Sequence, residues 1–490
     1  FDADAVARGM EQLTPERLNV WFVSKDEPAT EEMHFYAGKF SVEPLTLSTS
    51  TEQVALASAN GLAMPALNTL LPESFAVDHP AGEPVKVIAT DNGEFWLQGS
   101  AIFPEQPKGF TQLQLNTSEQ TKGPEAGVLS ALWVDLYRQQ QTTLLTEASI
   151  AGMNASVSPS FGIQMTFSGF TDKQPELIKR SLEALRIEPS EEEFIQAVDR
   201  FTRGLENSRF GFPVRQLFPA IRRLTQTGAF NQEDLLQAAN AATLEALSGH
   251  IEQQLSTAYV RGYRFGNYSE EDVQSLADLI ARVLPNRSGD TYTRAATYAP
   301  QPGSTLVYQE NLPVEDLGMA YLFAAPKASI ENVAKGELLA AHLSNRAFNQ
   351  LRTEEQLGYA AGGFATQLGD HPMVGFYIQT PVKAPVAMLE RFDDYRAEFA
   401  SDLEALEQAE FESIKAGVLT DLTQPPKNLG EEAGPFLIDW NRERYNFDTR
   451  TRLIAAVEQV TLDAVRDYYA ETVMPEAASR VLVQLKGTAF

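Results

Sequence analysis

Two stretches of this chain repeat each other, and the repeat constrains the fold more than any other feature. Residues 235–246 recur as residues 453–464, with Leu, Thr, Leu, an acid and Ala at matching positions. Earlier in each copy, residues 146–151 align with residues 353–358 through a shared Thr-Glu pair. The pattern predicts a duplicated α/β unit of roughly 200 residues, which is within the usual size of a domain. Chance similarity between amphipathic segments is the alternative.

Helix-like and strand-like patterns alternate along both copies. The chain opens with a predicted helix at residues 2–13 and a strand at 20–23. In the first copy the patterns predict strands at 85–88, 94–97, 113–115 and 161–170, and helices at 125–142, 174–185, 190–207 and 232–255. In the second they predict strands at 304–308, 319–324 and 480–485, a hairpin at 361–380, and helices at 330–351, 386–399, 406–422 and 451–472.

Charge and residue content exclude several classes of function. The 490 residues include 39 Lys and Arg against 66 Asp and Glu, which gives a formal net charge of −27. This charge repels phosphate backbones and anionic lipid, so we expect neither nucleic acid nor a membrane as a partner. No apolar run approaches the ~18 to 20 residues that a membrane span requires. The absence of Cys removes thiol nucleophiles, Cys-ligated zinc, iron–sulfur clusters and disulfides.

Local spacing of the histidines gives no metal site. A zinc hydrolase can place two His on one helical turn, and no two histidines of this chain are close enough in sequence to do so. We interpret His342 as a satisfied, partly buried histidine. The sequence also lacks a nucleophile elbow, a Walker loop and a dinucleotide fingerprint, so we predict no metal ligand and no cofactor-binding residue in this chain. The five histidines are His34, His79, His250, His342 and His371.

The segment at residues 348–359 stands out chemically, and it reads Phe-Asn-Gln-Leu-Arg-Thr-Glu-Glu-Gln-Leu-Gly-Tyr. It follows a predicted helix with a clear apolar face. Thr353 and Gln356 have the spacing of a capping box, which predicts a new helical turn directly after Arg352. Gly358 then lets the chain bend into the next strand. The segment is therefore a predicted helix–turn–strand junction.

Arg352 and Tyr359 flank this junction. Both are hydrogen-bond donors at neutral pH, because the guanidinium keeps its charge and a phenol with a pKa near ~10 keeps its proton. Two such donors can hold a peptide carbonyl or stabilise an oxyanion. The alternative is a surface pair of Arg352 with Glu355 and a half-buried Tyr359. The first copy has Leu145 and Gly152 at the equivalent positions, so the scaffold does not require Arg and Tyr, which favours a functional role.

The same segment resembles the signature of the C-terminal half of the insulinase/pitrilysin (M16) family of zinc metallopeptidases. The specific part is Leu-Arg-Thr-x-Glu-Gln-Leu-Gly-Tyr at residues 351–359. The resemblance covers nearly the whole chain, in family order. The family's zinc motif, H-x-x-E-H, is absent from this sequence and is the main departure. Supporting matches lie at residues 13–20, 169–175, 425–429 and 445–448.

The resemblance implies an α+β or α/β fold class, with two homologous domains that each pack helices on a mainly antiparallel sheet, plus the tail of a preceding domain. Because the chain opens at Phe1 without Met, we expect it to be part of a longer polypeptide. The expected boundaries are 1–58 for the remnant of the family's second domain, 59–84 for a linker, 85–285 for the non-catalytic third domain, 286–300 for a second linker, and 301–490 for the non-catalytic fourth domain with Arg352 and Tyr359.

The function implied by the resemblance is that of a non-catalytic, substrate-binding half of a zinc metalloendopeptidase. This half would close a peptide chamber over an N-terminal, zinc-bearing half of the same polypeptide, which is the expected partner. Zinc and its ligands would lie outside this chain, and the chain alone would be inactive. Arg352 and Tyr359 would contact the substrate carbonyl or oxyanion of a bound peptide. A periplasmic or otherwise exported location follows from the resemblance only, and a cytoplasmic one stays open.

Two alternatives stay open from the sequence. The chain is also consistent with a separately encoded, zinc-free partner subunit of a two-chain peptidase. It is consistent as well with a peptide-binding scaffold that has no catalytic role. Neither the preferred peptide nor the oligomeric state follows from the residues.

Overall fold

The computed structural model describes residues 3–14, 17–26, 28–35, 37–44, 66–77, 82–118 and 122–490. The chain divides into two compact units, residues 1–67 and 68–490. In the first unit the described residues include helix α1 (Ala3–Met10) and the short antiparallel strands β1 (Glu31–Glu32) and β2 (Lys39–Phe40). The expected helix is confirmed, whereas the strand expected at residues 20–23 is wrong, because that segment is exposed and irregular.

The second unit contains two sheets. The strands of the first sheet are β3 (Val85–Thr90), β4 (Gly93–Gln98), β5 (Lys108–Asn116), β6 (Met153–Ser160), β7 (Gly162–Phe170) and β8 (Tyr259–Gly266). The strands of the second sheet are β9 (Thr305–Asn311), β10 (Leu317–Ala324), β11 (Ala360–Leu368), β12 (His371–Thr380) and β13 (Arg480–Lys486).

The two sheets have the same topology. The first has the order β3-β4-β8-β5-β7-β6, and the second has the order β11-β12-β10-β13-β9. The pairs β4–β8 and β9–β13 are parallel, and all other neighbours are antiparallel. Strands β4 to β8 therefore correspond one by one to β9 to β13, and β3 is an additional edge strand. This repeat of order and direction confirms the duplicated unit, and the fold is α+β with mainly antiparallel sheets.

Helices pack against both sheets. The helices of the first copy are α2 (Pro124–Gln140), α3 (Thr142–Ile150), α4 (Gln174–Glu183), α5 (Glu191–Ser208), α6 (Pro213–Thr225), α7 (Gln232–Ala241), α8 (Leu244–Ser256) and α9 (Glu270–Val283). Those of the second copy are α10 (Ile330–Ala347), a π-helix (Phe348–Glu354), α11 (Pro385–Ala405), α12 (Gln408–Thr423), α13 (Leu429–Asn441), α14 (Thr449–Gln459) and α15 (Leu462–Thr472).

One face of each sheet forms an apolar core with the helices of its own copy. Trp133 and Tyr137 of α2 are buried against the first sheet, and Tyr395 of α11 is buried beside Phe376 in the second. Several helices start at a residue whose side chain caps the first turn. At α5, for example, Ser190 accepts the backbone N–H of Glu193, whose carboxylate accepts that of Ser190.

The opposite face of each sheet is covered by a helix from the other copy. Helix α6 of the first copy packs Leu217 and Ile221 on the second sheet. Helix α13 of the second copy packs Leu429 and Trp440 on the first sheet. Each sheet therefore needs the other copy to bury its second face, which joins residues 68–490 into one compact unit.

Candidate functional site

The predicted junction is built on a π-helix. Residues 348–354 continue α10 with wider turns, and the backbone N–H of Glu355 donates to the carbonyl of Gln350 at 2.9 Å. Gln356 then takes a left-handed conformation with φ of 53°, which ends the helix. The predicted capping box is wrong, because Thr353 lies inside the π-helix instead of starting a new helix. π-Helical turns inside α-helices are rare and are frequent at functional sites.

The junction is held tightly to the sheet. Leu351 and Leu357 are buried in the core of the second sheet. A Cβ atom at Gly358 would lie 2.0 Å from the carbonyl oxygen of Gln379, so only glycine allows this approach. The hydroxyl of Thr380 donates to the carbonyl of Leu357. Strand β11 begins at Ala360, one residue before the predicted hairpin.

Glu355 fastens the junction to α11. Its carboxylate accepts two hydrogen bonds from Arg391, with Nε–Oε2 at 2.8 Å and Nη2–Oε1 at 2.5 Å. These bonds hold the pKa of Glu355 below its usual value. Arg391 also bonds Glu398 at 2.9 Å. The alternative in which Glu355 pairs with Arg352 is therefore wrong, because Glu355 pairs with Arg391.

Arg352 is exposed at the end of the π-helix. Its guanidinium lies over the ring of Phe348, with Cζ 4.6 Å from the ring centroid. Among the residues that the structure describes, no carboxylate forms an ion pair with Arg352. The positive fork therefore points at solvent with its hydrogen-bond donors available to a ligand.

Tyr359 is more exposed than the half-buried alternative predicts, with 53% of its surface accessible. Its hydroxyl donates to Oδ2 of Asp316. Nε2 of Gln379 donates to the Tyr359 hydroxyl at 2.5 Å and to Oδ2 of Asp316 at 2.7 Å. The hydrogen bond to Asp316, together with partial burial, raises the pKa of Tyr359. The phenol is thus neutral and fixed by two side chains that the sequence did not point to.

Asp316 and Gln379 are distant from Tyr359 in the sequence and come from other segments of the second sheet. Asp316 directly precedes β10, and Gln379 lies on β12 opposite Ala360, the residue after Tyr359. This register alone brings the amide to the phenol. No local spacing in the sequence marks either residue, so only the pairing of β12 with both β11 and β10 could have identified them.

The equivalent junction of the first copy has a different local structure. Leu145 lies in the ordinary helix α3, and Gly152 has φ of 73°, a conformation that disfavours side chains. A Cβ at Gly152 would also lie 2.8 Å from the ring of Phe170. The first copy therefore has no room for a tyrosine where the second copy has Tyr359.

The described residues do not fit a zinc site. No group of three or more His, Cys, Asp or Glu side chains in the described ranges could hold a metal ion. His342 is buried, with Nε2 3.1 Å from Oδ2 of Asp402, and Nε2 of His371 lies 2.6 Å from the carbonyl oxygen of Ala325. His79 is outside the described residues. Within the described residues, no helix has the length and apolarity to cross a membrane.

Comparison with known proteins supports the resemblance to the M16 family. The family described as "Middle or third domain of peptidase_M16" matches residues 1–238, and "PQQ synthase PqqF-like, C-terminal lobe domain 4" matches residues 338–437. By these matches the chain is similar to the C-terminal half of an M16 peptidase. It is similar to Protease 3 of Salmonella typhimurium, with 24% identity over 494 residues that cover 100% of this chain and 51% of the relative. The chain thus spans about half the length of the curated relatives it matches.

Solved structures share the fold. The crystal structure of pitrilysin matches 100% of this chain and 52% of its own, with a TM-score of 0.85 and 24% identity. A structure titled as the peptidase M16 inactive domain from Pseudomonas fluorescens matches 83% of this chain and 98% of its own, with a TM-score of 0.59 and 13% identity.

Proposed function

We propose that this chain is the non-catalytic, substrate-binding half of a zinc metalloendopeptidase and that it supplies Arg352 and Tyr359 to a bound peptide. The observation that carries the proposal is the difference between the two copies. Only the second copy has a positive fork and an exposed phenol on its rigid junction, and neither is needed to build that junction. The match of residues 1–238 to an M16 domain and the similarity to half of Protease 3 support the same function.

The domain assignment belongs to this proposal. We assign residues 85–285 and 301–490 to the third and fourth domains of the family, with linkers at 59–84 and 286–300. Residues 1–58 are then the remnant of the second domain.

The chemistry of this half is binding and orientation. A peptide backbone carbonyl accepts hydrogen bonds, and the exposed guanidinium of Arg352 offers donors with a fixed positive charge. Tyr359 adds a neutral hydroxyl that is held in one position. Zinc would be bound by the N-terminal half, with ligands outside this chain, and when bound it supplies an activated water for peptide hydrolysis. The two halves would enclose the peptide, and the chain alone would be inactive. We expect this half to be located in the periplasm or to be otherwise exported.

A second candidate is a separately encoded, zinc-free subunit of a two-chain peptidase. It is favoured by the Pseudomonas fluorescens structure, whose title names an inactive domain and of which this chain covers 98%. Reading the gene upstream of Phe1 separates the two candidates. An in-frame H-x-x-E-H motif supports one polypeptide, whereas a start codon or signal peptide directly upstream supports a separate subunit.

Zinc content and peptidase activity test the proposal directly. We expect the chain alone to bind no stoichiometric zinc and to cleave no peptide, and we expect activity when the matching N-terminal half is added. Tightly bound, stoichiometric zinc in the chain alone would overturn the proposal. If the added half also restores no activity, the chain is a peptide-binding scaffold without a catalytic role.

A further inference from the structure

The two sheets differ at one outer edge. In the first sheet, β3 pairs antiparallel with the outer side of β4. The strand of the second sheet that corresponds to β4 is β9, which is the last strand of its sheet. Among the residues that the structure describes, no strand pairs with the outer side of β9. The second copy therefore leaves open an edge that the first copy covers with a strand.

The backbone of β9 presents hydrogen-bonding groups along this edge. The carbonyl of Ser304 accepts the backbone N–H of Arg480 at 2.9 Å. At the other end, the N–H of Leu312 donates to the carbonyl of Lys486 at 2.7 Å. The even-numbered residues therefore face β13, and the odd-numbered residues turn their N–H and C=O groups outwards. All of these outward residues are exposed, and they are Thr305, Val307, Gln309 and Asn311.

The outer strands at the other sheet edges have features that oppose pairing. Strand β3 has a bulge after Lys86. Strand β6 contains Pro159, and Arg138 donates to the carbonyl of Val157 on the same strand. In β11, residues 361–363 are buried. Proteins protect sheet edges with bulges, prolines, lysines and covering groups, whereas β9 pairs with β13 in continuous register and contains neither Pro nor Lys.

The charge of this edge suits a second molecule of the same chain. Two molecules that each carry a net charge of −27 repel each other, so a contact between them requires a neutral surface. The outward residues of β9 have uncharged side chains. The one charged residue of β9, Glu310, is partly buried in an ion pair with Arg223 of α6 at 3.0 Å. The edge is thus a neutral surface on an acidic protein.

The hydrogen-bonding pattern of β9 is also self-complementary. A twofold axis makes two identical strands antiparallel. With the axis at Tyr308, Val307 lies opposite Gln309 of the other molecule. In the same register, Thr305 lies opposite Asn311 of the other molecule. Every outward residue then faces another outward residue, as the hydrogen-bonded pairs of an antiparallel sheet require.

Exposed apolar side chains extend the surface beyond the strand. Arg209 Nη2 donates to the carbonyl of Asn311 at 2.8 Å, which places the segment between α5 and α6 at this end of β9. In that segment Phe210 is 64% exposed and Phe212 is 55% exposed, and Val307 on the strand is 48% exposed. Stable interfaces bury about 1,200 Å² or more, so these side chains add area that one strand alone lacks.

We propose that the outer edge of β9 pairs with the same edge of a second molecule of this chain, which forms a symmetric dimer with one continuous sheet across the interface. The inference goes beyond the proposed function and does not depend on it. Strands β9 and β11 lie at opposite edges of the second sheet, so the dimer contact is separate from the junction that carries Arg352 and Tyr359.

Sedimentation velocity of the full chain tests the dimer. We expect a dimer that becomes more populated as the protein concentration rises. Val307→Pro removes an outward N–H that the fold does not use, and Val307→Lys places a charge on the edge, so both should abolish the dimer with little change in thermal unfolding. Val386→Lys, at an exposed valine on α11, is the matched control and should keep it. A chain that is monomeric at all concentrations, or a dimer that survives both substitutions at Val307, would overturn the proposal.

Disulfide cross-linking tests the register, and the absence of Cys from the chain makes it specific. Opposite residues of a hydrogen-bonded pair have Cα atoms about 5.5 Å apart, within the reach of a disulfide. We therefore expect a mixture of Val307→Cys and Gln309→Cys chains to form cross-linked dimers on oxidation. Either variant alone should cross-link much less, because its cysteines are displaced by about 7 Å along the strands. A mixture that cross-links no more than the single variants would overturn the pairing of β9 with itself.

Discussion

The two copies of the repeat share a scaffold and differ in what it displays. Both have five strands in the same order, a helix before the edge hairpin, and a second sheet face covered by the partner copy. At the junction before the hairpin, the first copy has an ordinary helix with Leu145 and Gly152, and the second has a π-helix with Arg352 and Tyr359. The two copies therefore keep the same fold while they present different side chains at this junction.

The loop from β4 to β5 in the first copy and the loop from β9 to β10 in the second copy also differ in the side chains that they bond. In the first copy, this loop bonds the second copy, because Ser100 Oγ and the backbone N–H of Ala101 donate to the buried carboxylate of Glu432 on α13 at 2.5 and 2.8 Å. In the second copy, the corresponding loop supplies Asp316, which bonds an exposed phenol. The first loop therefore bonds a buried carboxylate of the other copy, whereas the second loop bonds a tyrosine that is exposed to solvent.

Arg261 gives the largest expected effect on stability. It is fully buried on β8, bonds Glu94 at 2.8 Å, and lies between the rings of Tyr292 and Trp440. Arg261→Met leaves Glu94 with Lys86 as its remaining cation, so we expect the protein to lose about 3 kcal/mol, the low end for breaking a buried ion pair.

Denaturant and thermal unfolding of the full chain measure this loss. Arg282→Met, at an exposed arginine on α9, is the control and should change stability by less than about 0.5 kcal/mol. Equal effects of the two variants would break the claim that the face of the first sheet beneath α13 depends on buried charge.

Substitutions at the equivalent positions 152 and 359 are expected to have the next largest effects on stability. Gly152→Ala should cost about 1–3 kcal/mol, because φ is 73° and the new Cβ would meet Phe170. Tyr359→Ala removes an exposed side chain and should cost less than about 1 kcal/mol. Thermal unfolding of both variants measures the difference. A larger loss at Tyr359 would indicate that the tyrosine is structural.

Glu355 is expected to give a moderate effect on stability, and a pH-dependent one. The equivalent residue of the first copy is the buried Ala148, so only the second copy has the pair with Arg391. Glu355→Gln should cost about 1.5 kcal/mol at pH 7, as loss of a charged hydrogen bond does. The exposed neighbour Glu354→Gln is the control.

The sign of the pH dependence follows from the pKa of Glu355, which is lowered in the folded chain by Arg391. The stabilisation is present above the unfolded pKa of about 4.3 and is lost as the pH falls through the lower folded value. The difference in unfolding midpoint between wild type and Glu355→Gln should therefore shrink below about pH 4. A difference that is constant from pH 7 to pH 4 and below would contradict an ionic role.

Periodicity predicted much of the helical structure but not its interruptions. The helix predicted at residues 232–255 is two helices, α7 and α8, because Thr243 accepts the backbone N–H of Ala246 and caps the second. The prediction at 451–472 fails in the same way, with Thr461 as the cap. Apolar spacing continues across both breaks, so it could not reveal them. Strand β8 was missed because it buries Arg261 and Arg264, which read as surface residues in a sequence.

At the site, the sequence supplied Arg352 and Tyr359 but not their surroundings. The signature placed both residues at a junction, and the resemblance to the C-terminal half of an M16 peptidase is confirmed, whereas the role of both residues in catalysis stays a prediction. Asp316 and Gln379 meet Tyr359 only through strand pairing across the second sheet, and Val214, whose backbone N–H donates to Gln379, comes from the other copy. Such contacts depend on tertiary structure and leave no local pattern.

The most direct test replaces Arg352 with the residue of the first copy. In the assembled enzyme, Arg352→Leu should lower kcat/KM about 10²–10³-fold, as loss of one transition-state donor does. Its thermal unfolding should stay unchanged because the side chain is exposed. Arg282→Leu is the matched control and should keep wild-type kcat/KM. An Arg352→Leu enzyme with wild-type kcat/KM would contradict the claim that the second copy displays its arginine for function.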